Sequence, residues 1–183
     1  MLDTKGYFMI GMDYLDKLLK HYTGTFDLTR PYEIKGEEYL AYGYFFSHIE
    51  KYVLVRDMNM WKADSYEHLL VKEIDFISMA EIEKAKNIME TYMEPVLVRK
   101  GEKLPEQNHM YSYLTFVYLC NHDVSREVQK QIHKFKFEKG YQLNIRGYSQ
   151  GRLLVVDLKN NKIYHNYQGR KLKKLYTNVF SKN

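Results

Sequence analysis

A stretch without charge covers residues 109–120, HMYSYLTFVYLC. It is rich in aromatic and β-branched residues, which favour strands. Continuous apolar runs of this kind are typical of strands covered on both faces. The pattern therefore predicts a central strand, buried on both sides, near the middle of a sheet.

Four other stretches place apolar residues at the i, i+3, i+4 spacing of an amphipathic helix. They fall at residues 13–22, 78–94, 123–139 and 167–179. Ser78 opens a capping-box pattern, Asp123 or Ser125 is expected to cap the third helix, and Asn166 the fourth. Pro95 is expected to end the second helix, because proline lacks the amide hydrogen that a helix needs.

The remaining patterned segments predict strands. They are residues 38–48, 51–58, 66–74, 141–148, 152–158 and 163–165. The first three are spaced as an antiparallel meander, and the last three as a hairpin-rich region. Runs of strands between helices predict an α+β fold, with a mainly antiparallel mixed sheet and about four helices packed on it.

The length of 183 residues suits one domain with a proper core. We expect a loosely held N-terminal extension at residues 1–12 and a single α+β domain at 13–183. The polar segment 99–108 is the candidate internal boundary. The apolar run at residues 7–12 is too short for a signal peptide, and no stretch approaches a membrane span. With one cysteine in the chain, these features predict a cytoplasmic protein without membrane contact.

Several segments resemble an uncharacterised family of small Firmicutes proteins. They are YEHLLVKE at 66–73, HMYSYLT at 109–115, KFKF at 134–137, RLLVVDL at 152–158 and NYQGRKLKK at 166–174. The resemblance covers most of the chain after about Asp13. It implies a single-domain bacterial protein of unknown function, and it implies no chemistry.

The charge is unevenly distributed. The formal net charge is +5, but residues 122–183 carry 14 basic and four acidic residues, a net +10, and the rest of the chain carries −5. Such asymmetry favours an acidic partner for the C-terminal third, unless the acidic part neutralises it within the fold. The residues expected to contact nucleic acid or another polyanion are Lys134, Lys136, Arg170, Lys171, Lys173 and Lys174.

The chain is also rich in aromatic residues, with 18 Tyr and 9 Phe. Packing is the ordinary use of such residues, and base stacking is the alternative. Tyr141, Tyr148, Tyr164 and Tyr167 lie between the basic residues and are the candidates for stacking. The aromatic strands at 39–46 and 109–119 are also candidates for the sheet of a homodimer.

The order of helices and strands up to residue 119 suits a Mg²⁺-dependent nuclease of the PD-(D/E)xK type. Asp57, Glu67 and Lys72 are its candidate catalytic residues. Such a site needs an acid and a lysine two residues apart, so that both face one metal ion. Glu67 and Lys72 are five apart, and a regular strand directs them to opposite faces. A bulge between them would be required.

The other reactive residues form no motif that predicts chemistry. The seven histidines lack the spacing of a zinc site, so no metal or other cofactor is predicted. Cys120 and His122 could pair as nucleophile and base, although a cysteine of this kind is more often a small core residue. Glycine-rich nucleotide motifs and the G-x-S-x-G motif do not occur.

The sequence is most consistent with a non-catalytic binding module whose partner is nucleic acid or an acidic protein. The enzyme alternative is the nuclease. The third alternative is a structural domain that interacts with protein and forms homo-oligomers, most simply a homodimer.

Overall fold

The computed structural model describes the backbone of residues 4–51 and 61–181, and the side chains of residues 10–48 and 64–181. The helices are α1 Thr4–Lys20, α2 Met79–Ile88, α3 Arg126–Lys134 and α4 Lys173–Ser181. A π-helical segment, Met89–Val98, continues α2, and a 3-10 segment, Gln168–Leu172, precedes α4. The strands are β1 Asp27–Thr29, β2 Tyr32–Ile34, β3 Glu37–Tyr39, β4 Ala41–Lys51, β5 Trp61–Ile74, β6 His109–Cys120, β7 Glu138–Gly140, β8 Tyr148–Asp157 and β9 Lys162–His165.

Seven of these strands form one mixed sheet in the order β1-β4-β5-β6-β8-β7, and β9 also pairs with β8. The two central pairings, β5 with β6 and β6 with β8, are parallel, and the other pairings in this sheet are antiparallel. Strands β2 and β3 form a separate hairpin. The predicted α+β fold with a mainly antiparallel mixed sheet is confirmed.

The central strand is confirmed as β6. It lies between β5 and β8 along nearly its whole length. Parallel neighbours require crossover connections, and helices supply them here. The chain passes from β5 to β6 through α2, and from β6 to β8 through α3. Because β6 has a strand on each side, it cannot pair with a second chain, and the homodimer sheet expected from this strand is not formed through it.

Helices cover both faces of the sheet, and each face has its own core. On one face, α2 and α3 pack against alternate residues of the central strands. The buried residues of this core include Ile82, Ala85, Ile132, Leu70, Phe116 and Val155. On the other face, α1 and α4 pack against the intervening residues, which include Leu69, Val117 and Leu154. The period of two in a strand separates these sets.

Two helix caps agree with the sequence. Ser78 accepts a hydrogen bond from the Glu81 amide at 3.3 Å, and Ser125 accepts one from the Val128 amide at 3.3 Å.

Helix α1 begins at Thr4, so residues 4–12, which were expected as a loose extension, form the first part of this helix. The helix predicted to stop at Pro95 instead continues through it to Val98 as π-helix. In that geometry the missing amide hydrogen of proline is tolerated within a longer-range ladder.

The strand predicted at residues 141–148 is wrong. Gln142, Leu143 and Asn144 have φ angles of 49°, 54° and 67°, in the left-handed region. Gly147 follows at φ 75°, where an added Cβ would lie 2.2 Å from the Met110 carbonyl oxygen. These four residues form a tight turn between β7 and β8. Most of the strand predicted at residues 51–58 lies outside the described residues.

Asn166 joins three parts of the fold. Its side-chain oxygen accepts from the Leu153 amide at 3.1 Å and from the Gly169 amide at 3.0 Å. Its nitrogen donates to the carbonyls of Phe135 at 3.2 Å and Gly151 at 2.9 Å. Asn166 was expected to cap the last helix, but the N-cap of the 3-10 segment is Tyr167, and Asn166 reaches that segment through the Gly169 amide. The same side chain also fixes the end of α3 against β8.

We expect Asn166→Ala to lower the free energy of unfolding by about 3 kcal/mol, because it leaves several buried backbone groups without partners. Urea denaturation measures this loss. Asn178→Ala is the control, since Asn178 is exposed on α4. Equal stability of the two variants would contradict the role assigned to Asn166.

Candidate functional site

A row of aromatic rings lies on the α2 side of the β4–β5 hairpin. The row consists of Tyr42 and Tyr44 of β4 and of Tyr66 and His68 of β5. Alternate residues of a strand share a face, so all four rings lie on the same side of the sheet. Tyr44 lies directly opposite His68, with ring centroids 5.3 Å apart. Tyr66 is 6.5 Å from Tyr44, and Tyr42 is 6.2 Å from His68. Cross-strand pairing thus builds a continuous wall of rings.

The wall encloses a cavity of about 490 Å³, which we call the aromatic pocket. Val96, Leu97 and Val98, from the end of the π-helical segment, form the apolar part of its lining. The remaining lining residues are Asp27, Thr29, Lys100, Glu106 and His109. Cavities of roughly 300–1,000 Å³ with mainly apolar and aromatic walls are typical of small-molecule sites.

Hydrogen bonds hold both imidazoles of the pocket. The Tyr42 hydroxyl lies 2.8 Å from His68 Nδ1. His109 Nδ1 lies 3.1 Å from the Arg146 carbonyl oxygen, so it is the donor and carries the hydrogen. In the neutral ring His109 Nε2 then accepts from the Ser112 hydroxyl at 2.8 Å. The His109 ring also stacks on Tyr66 at 5.6 Å, which fixes its plane.

Burial keeps these histidines uncharged. Desolvation, followed by repulsion from His109 and Lys100, lowers the pKa of His68 to about 4. Desolvation also lowers the pKa of His109. Since the charged form of imidazole loses most when water is removed, neutral rings are expected near pH 7. The wall therefore offers aromatic faces and neutral hydrogen-bonding nitrogens.

His68 should make stability depend on pH. Below about pH 6.5 the unfolded chain protonates this histidine, whereas the folded protein resists protonation down to about pH 4. Stability is therefore lost as the pH falls through this window, by about 3 kcal/mol from His68 alone. The difference in unfolding free energy between the wild type and His68→Gln should shrink by that amount between pH 7 and pH 4.

His133→Gln is the control for this experiment, because His133 is exposed on α3. Urea titrations of both variants across this pH range separate the effect of the buried imidazole from a general effect of replacing a histidine. If the His68 variant shows no fall toward pH 4, the low pKa of His68 is wrong.

The six basic residues predicted from the sequence are all exposed. We call Lys134, Lys136, Arg170, Lys171, Lys173 and Lys174 the basic surface. Lys134 and Lys136 flank Phe135, whose carbonyl accepts from Asn166, so these two lysines approach the 3-10 segment that carries Arg170 and Lys171. The other two lysines begin α4.

Part of the basic charge is neutralised within the fold. Lys136 pairs with Glu138 at 2.8 Å. Within the described part of the chain, Lys134, Arg170, Lys171, Lys173 and Lys174 form no salt bridge. Elsewhere in the C-terminal third, Lys139 pairs with Glu94 at 3.0 Å and Arg152 pairs with Glu67 at 2.9 Å. Both acids lie in the N-terminal part of the chain. Among the described residues, the basic surface thus keeps five of its six charges exposed and outside salt bridges.

The four tyrosines proposed for base stacking differ in exposure. Tyr141 is buried, and its hydroxyl bonds to Glu94 at 3.0 Å and to Ser149 at 2.8 Å, so it cannot stack on a base. Tyr148 and Tyr164 are half-buried. Tyr167 is 67% exposed and lies beside Arg170, with 5.2 Å between the guanidinium carbon and the ring centroid. It is the member of this group best placed to meet a ligand.

The nuclease residues are not brought together. Asp57 lies outside the described residues. Strand β5 pairs with β6 in regular register from Ser65 to Ile74, and with β4 as far as Val71, so no bulge separates Glu67 from Lys72. Glu67 accepts from Thr115 and pairs with Arg152 on one face of the sheet, while Lys72 pairs with Glu37 on the other. The arrangement required for a shared metal ion is absent for this pair.

The Cys120–His122 pair also lacks the geometry of an activated nucleophile. Cys120 is fully buried, and burial raises the pKa of its thiol. Its sulfur donates to the backbone carbonyls of His122 at 3.2 Å and Asp75 at 3.6 Å. The His122 ring stacks on Phe76 at 4.1 Å. Cys120 is thus a small core residue.

Sequence reasoning did not identify the aromatic pocket. The signal was the alternation of tyrosines at 42 and 44 and of Tyr66 with His68 in two successive strands. Alternation shows that the rings of one strand share a face. The alignment of the rings of β4 with those of β5 depends on how the two strands pair, which the alternation does not give. Among the described residues, no three histidine, cysteine or acidic side chains converge as a metal site.

The fold and pocket define an α+β domain with a helix-covered mixed sheet and one aromatic cavity at its β4–β5 end. The chain belongs to a family described as a domain of unknown function, DUF8052, whose model matches residues 11–178. No match was found among curated proteins or among solved structures. In the described part of the chain, no helix is both long and apolar enough to cross a membrane.

Proposed function

We propose that this chain is a non-catalytic binding domain whose main site is the aromatic pocket, and that the pocket takes a small ring-shaped molecule. The observation that carries this proposal is the wall formed by Tyr42, Tyr44, Tyr66 and His68 around a cavity of about 490 Å³. Aromatic side chains bind flat rings through apolar contact and stacking.

The polar groups of the pocket support binding rather than catalysis. Both His109 nitrogens are engaged by Ser112 and the Arg146 carbonyl. His68 uses Nδ1 for Tyr42, and among the described residues its Nε2 makes no hydrogen bond, which leaves this nitrogen for a ligand. One unsatisfied nitrogen in an aromatic wall orients a ligand, as the few polar groups of small-molecule sites do.

Tyr44→Leu should weaken the binding of neutral ring compounds about tenfold, because it removes one aromatic face worth roughly 1 kcal/mol or more. The probes are adenosine and indole-3-acetamide, and calorimetry measures their affinities. Tyr167→Leu is the matched control, since Tyr167 is an exposed tyrosine outside the pocket.

A second variant, Val96→Trp, should obstruct the cavity. Val96 lines the pocket and is 45% exposed, so the larger side chain should leave the core undisturbed. Wild-type protein that binds neither probe, or variants that bind like the control, would contradict the proposal.

We propose as a second function that the basic surface binds nucleic acid or another polyanion without sequence specificity. Its support is that Asn166 bonds the end of α3 to the 3-10 segment that leads into α4, and that among the described residues only Lys136 of this surface forms a salt bridge. An acidic protein would meet the same charges. The nuclease alternative has no comparable support, because Glu67 and Lys72 face opposite ways.

Replacing Lys171, Lys173 and Lys174 together by Ala should weaken DNA and RNA binding. Each lost phosphate contact reduces the slope of log affinity against log salt by about 0.9 on duplex DNA, so the slope should become shallower by about two to three. Fluorescence anisotropy at several salt concentrations measures it. The control replaces Lys20 and Lys35, which are exposed lysines in other parts of the chain. An unchanged slope in the first variant would exclude this surface.

A further inference from the structure

A second depression adjoins the aromatic pocket. It measures about 680 Å³ and is more open to solvent. Val98, Lys100 and Glu106 line both cavities, so the two are adjacent. We call this second depression the cationic vestibule. Its charged lining residues are Arg99, Lys100, Lys103, Arg146, Glu102 and Glu106.

The basic charges of the vestibule are unequally engaged. Arg99 is committed to Glu94, with nitrogen–oxygen distances of 2.6 and 3.2 Å. Lys100 pairs with Glu106. Within the described residues, Lys103 and Arg146 have no acidic partner. Arg146 donates through Nη2 to the Pro105 carbonyl at 3.4 Å, and its buried Nε has no hydrogen-bond partner.

The loop that carries these residues is held in place. The Gly101 amide donates to the Pro95 carbonyl at 2.8 Å, and the Glu102 amide donates to the Arg99 carbonyl at 2.9 Å. Lys100 and Gly101 have φ angles of 53° and 82°, which make a sharp turn at the end of the π-helical segment. The turn places Lys100 on the boundary between the two cavities. A site fixed before binding costs less entropy when a ligand arrives.

We propose that the ligand is a flat ring bearing an anionic group, with the ring in the aromatic pocket and a phosphate or carboxylate in the cationic vestibule near Lys103 and Arg146. This inference rests on the proposed function of the pocket and adds the charge of the ligand. Arg146 lines the vestibule without an acidic partner among the described residues, and a guanidinium group suits the oxygens of either anion. The neutral imidazoles add no charge to the ring end of the site.

Lys100 connects the two parts of the ligand site. Its ammonium group pairs with Glu106, and the hydroxyl of Tyr66 donates to the same carboxylate at 3.3 Å. An anion that enters the vestibule competes with Glu106 for Lys100. The bound anion is therefore coupled to the tyrosine that forms part of the ring wall.

Two pairs of probes that differ in their anionic group test this inference. Adenosine 5′-monophosphate is compared with adenosine, and indole-3-acetate with indole-3-acetamide, by calorimetry at low salt. The charged member of a pair should bind about tenfold tighter, as expected for one charge-assisted contact. If only adenosine 5′-monophosphate binds tighter than its neutral partner, the anionic group of the ligand is a phosphate. If only indole-3-acetate does so, the group is a carboxylate. Either result supports the proposal.

The negative outcomes separate the two proposals. Equal affinities within both pairs would overturn the vestibule and leave the aromatic pocket intact. Failure of all four probes would overturn both the pocket and the vestibule. A preference for the neutral members would overturn the vestibule alone, because it would mean that Glu102 and Glu106 dominate the local field.

Lys103→Ala locates the anion. Because Lys103 is exposed and forms no salt bridge with the residues that the structure describes, its replacement leaves the fold undisturbed. We expect a loss of about threefold to tenfold in affinity for the charged probe and no change for the neutral one. Lys130→Ala, at an exposed lysine on α3, is the matched control and should change neither affinity. Equal losses for both probes, or an equal effect of the control, would overturn the assignment of Lys103.

Discussion

The structure depends on one strand, β6, that is paired in parallel on both sides and buried on both faces. Parallel pairing requires long crossovers, so α2 and α3 must cover the sheet. A strand covered on both faces also requires a second helical layer, which α1 and α4 provide. The aromatic pocket lies where this arrangement begins, at His109, the first residue of β6. Its ring wall continues onto β4 and β5.

Tyrosine hydroxyls and one buried carboxylate connect the layers that the apolar residues create. Tyr14 donates to the Tyr176 carbonyl at 2.8 Å, and the hydroxyls of Tyr22 and Tyr176 lie 3.1 Å apart, which fastens α1 to α4. On the opposite side, burial disfavours the ionised form of Glu94, but hydrogen bonds from Arg99, Lys139 and Tyr141 lower its pKa overall. A buried charge that is fully paired stabilises a specific arrangement, although its net contribution to stability is small.

Local signals in the sequence predicted local structure well. The caps at Ser78 and Ser125 and the apolar run of β6 depend only on neighbouring residues. Residues 141–148 were assigned incorrectly because Tyr141 and its apolar neighbours suggest a strand, whereas residues 142–144 and Gly147 have left-handed φ angles and the Tyr141 hydroxyl bonds to the distant Glu94 and to Ser149. The opposite orientation of Glu67 and Lys72 followed from the strand period. The aromatic pocket did not follow, because it requires the register of β4 with β5 and the position of a π-helical segment.

The formal charge of the C-terminal third overstates its capacity to bind anions. Arg152 and Lys139 neutralise Glu67 and Glu94, two acids from the other part of the chain. Arg146 faces the vestibule beside the aromatic pocket instead of the basic surface. Ion pairs cancel at a distance, so only unpaired exposed charges contribute a field that attracts a partner. Of the charge that remains, part lies on a broad exposed surface suited to a polyanion, and Arg146 lies at a small vestibule suited to a single anionic group.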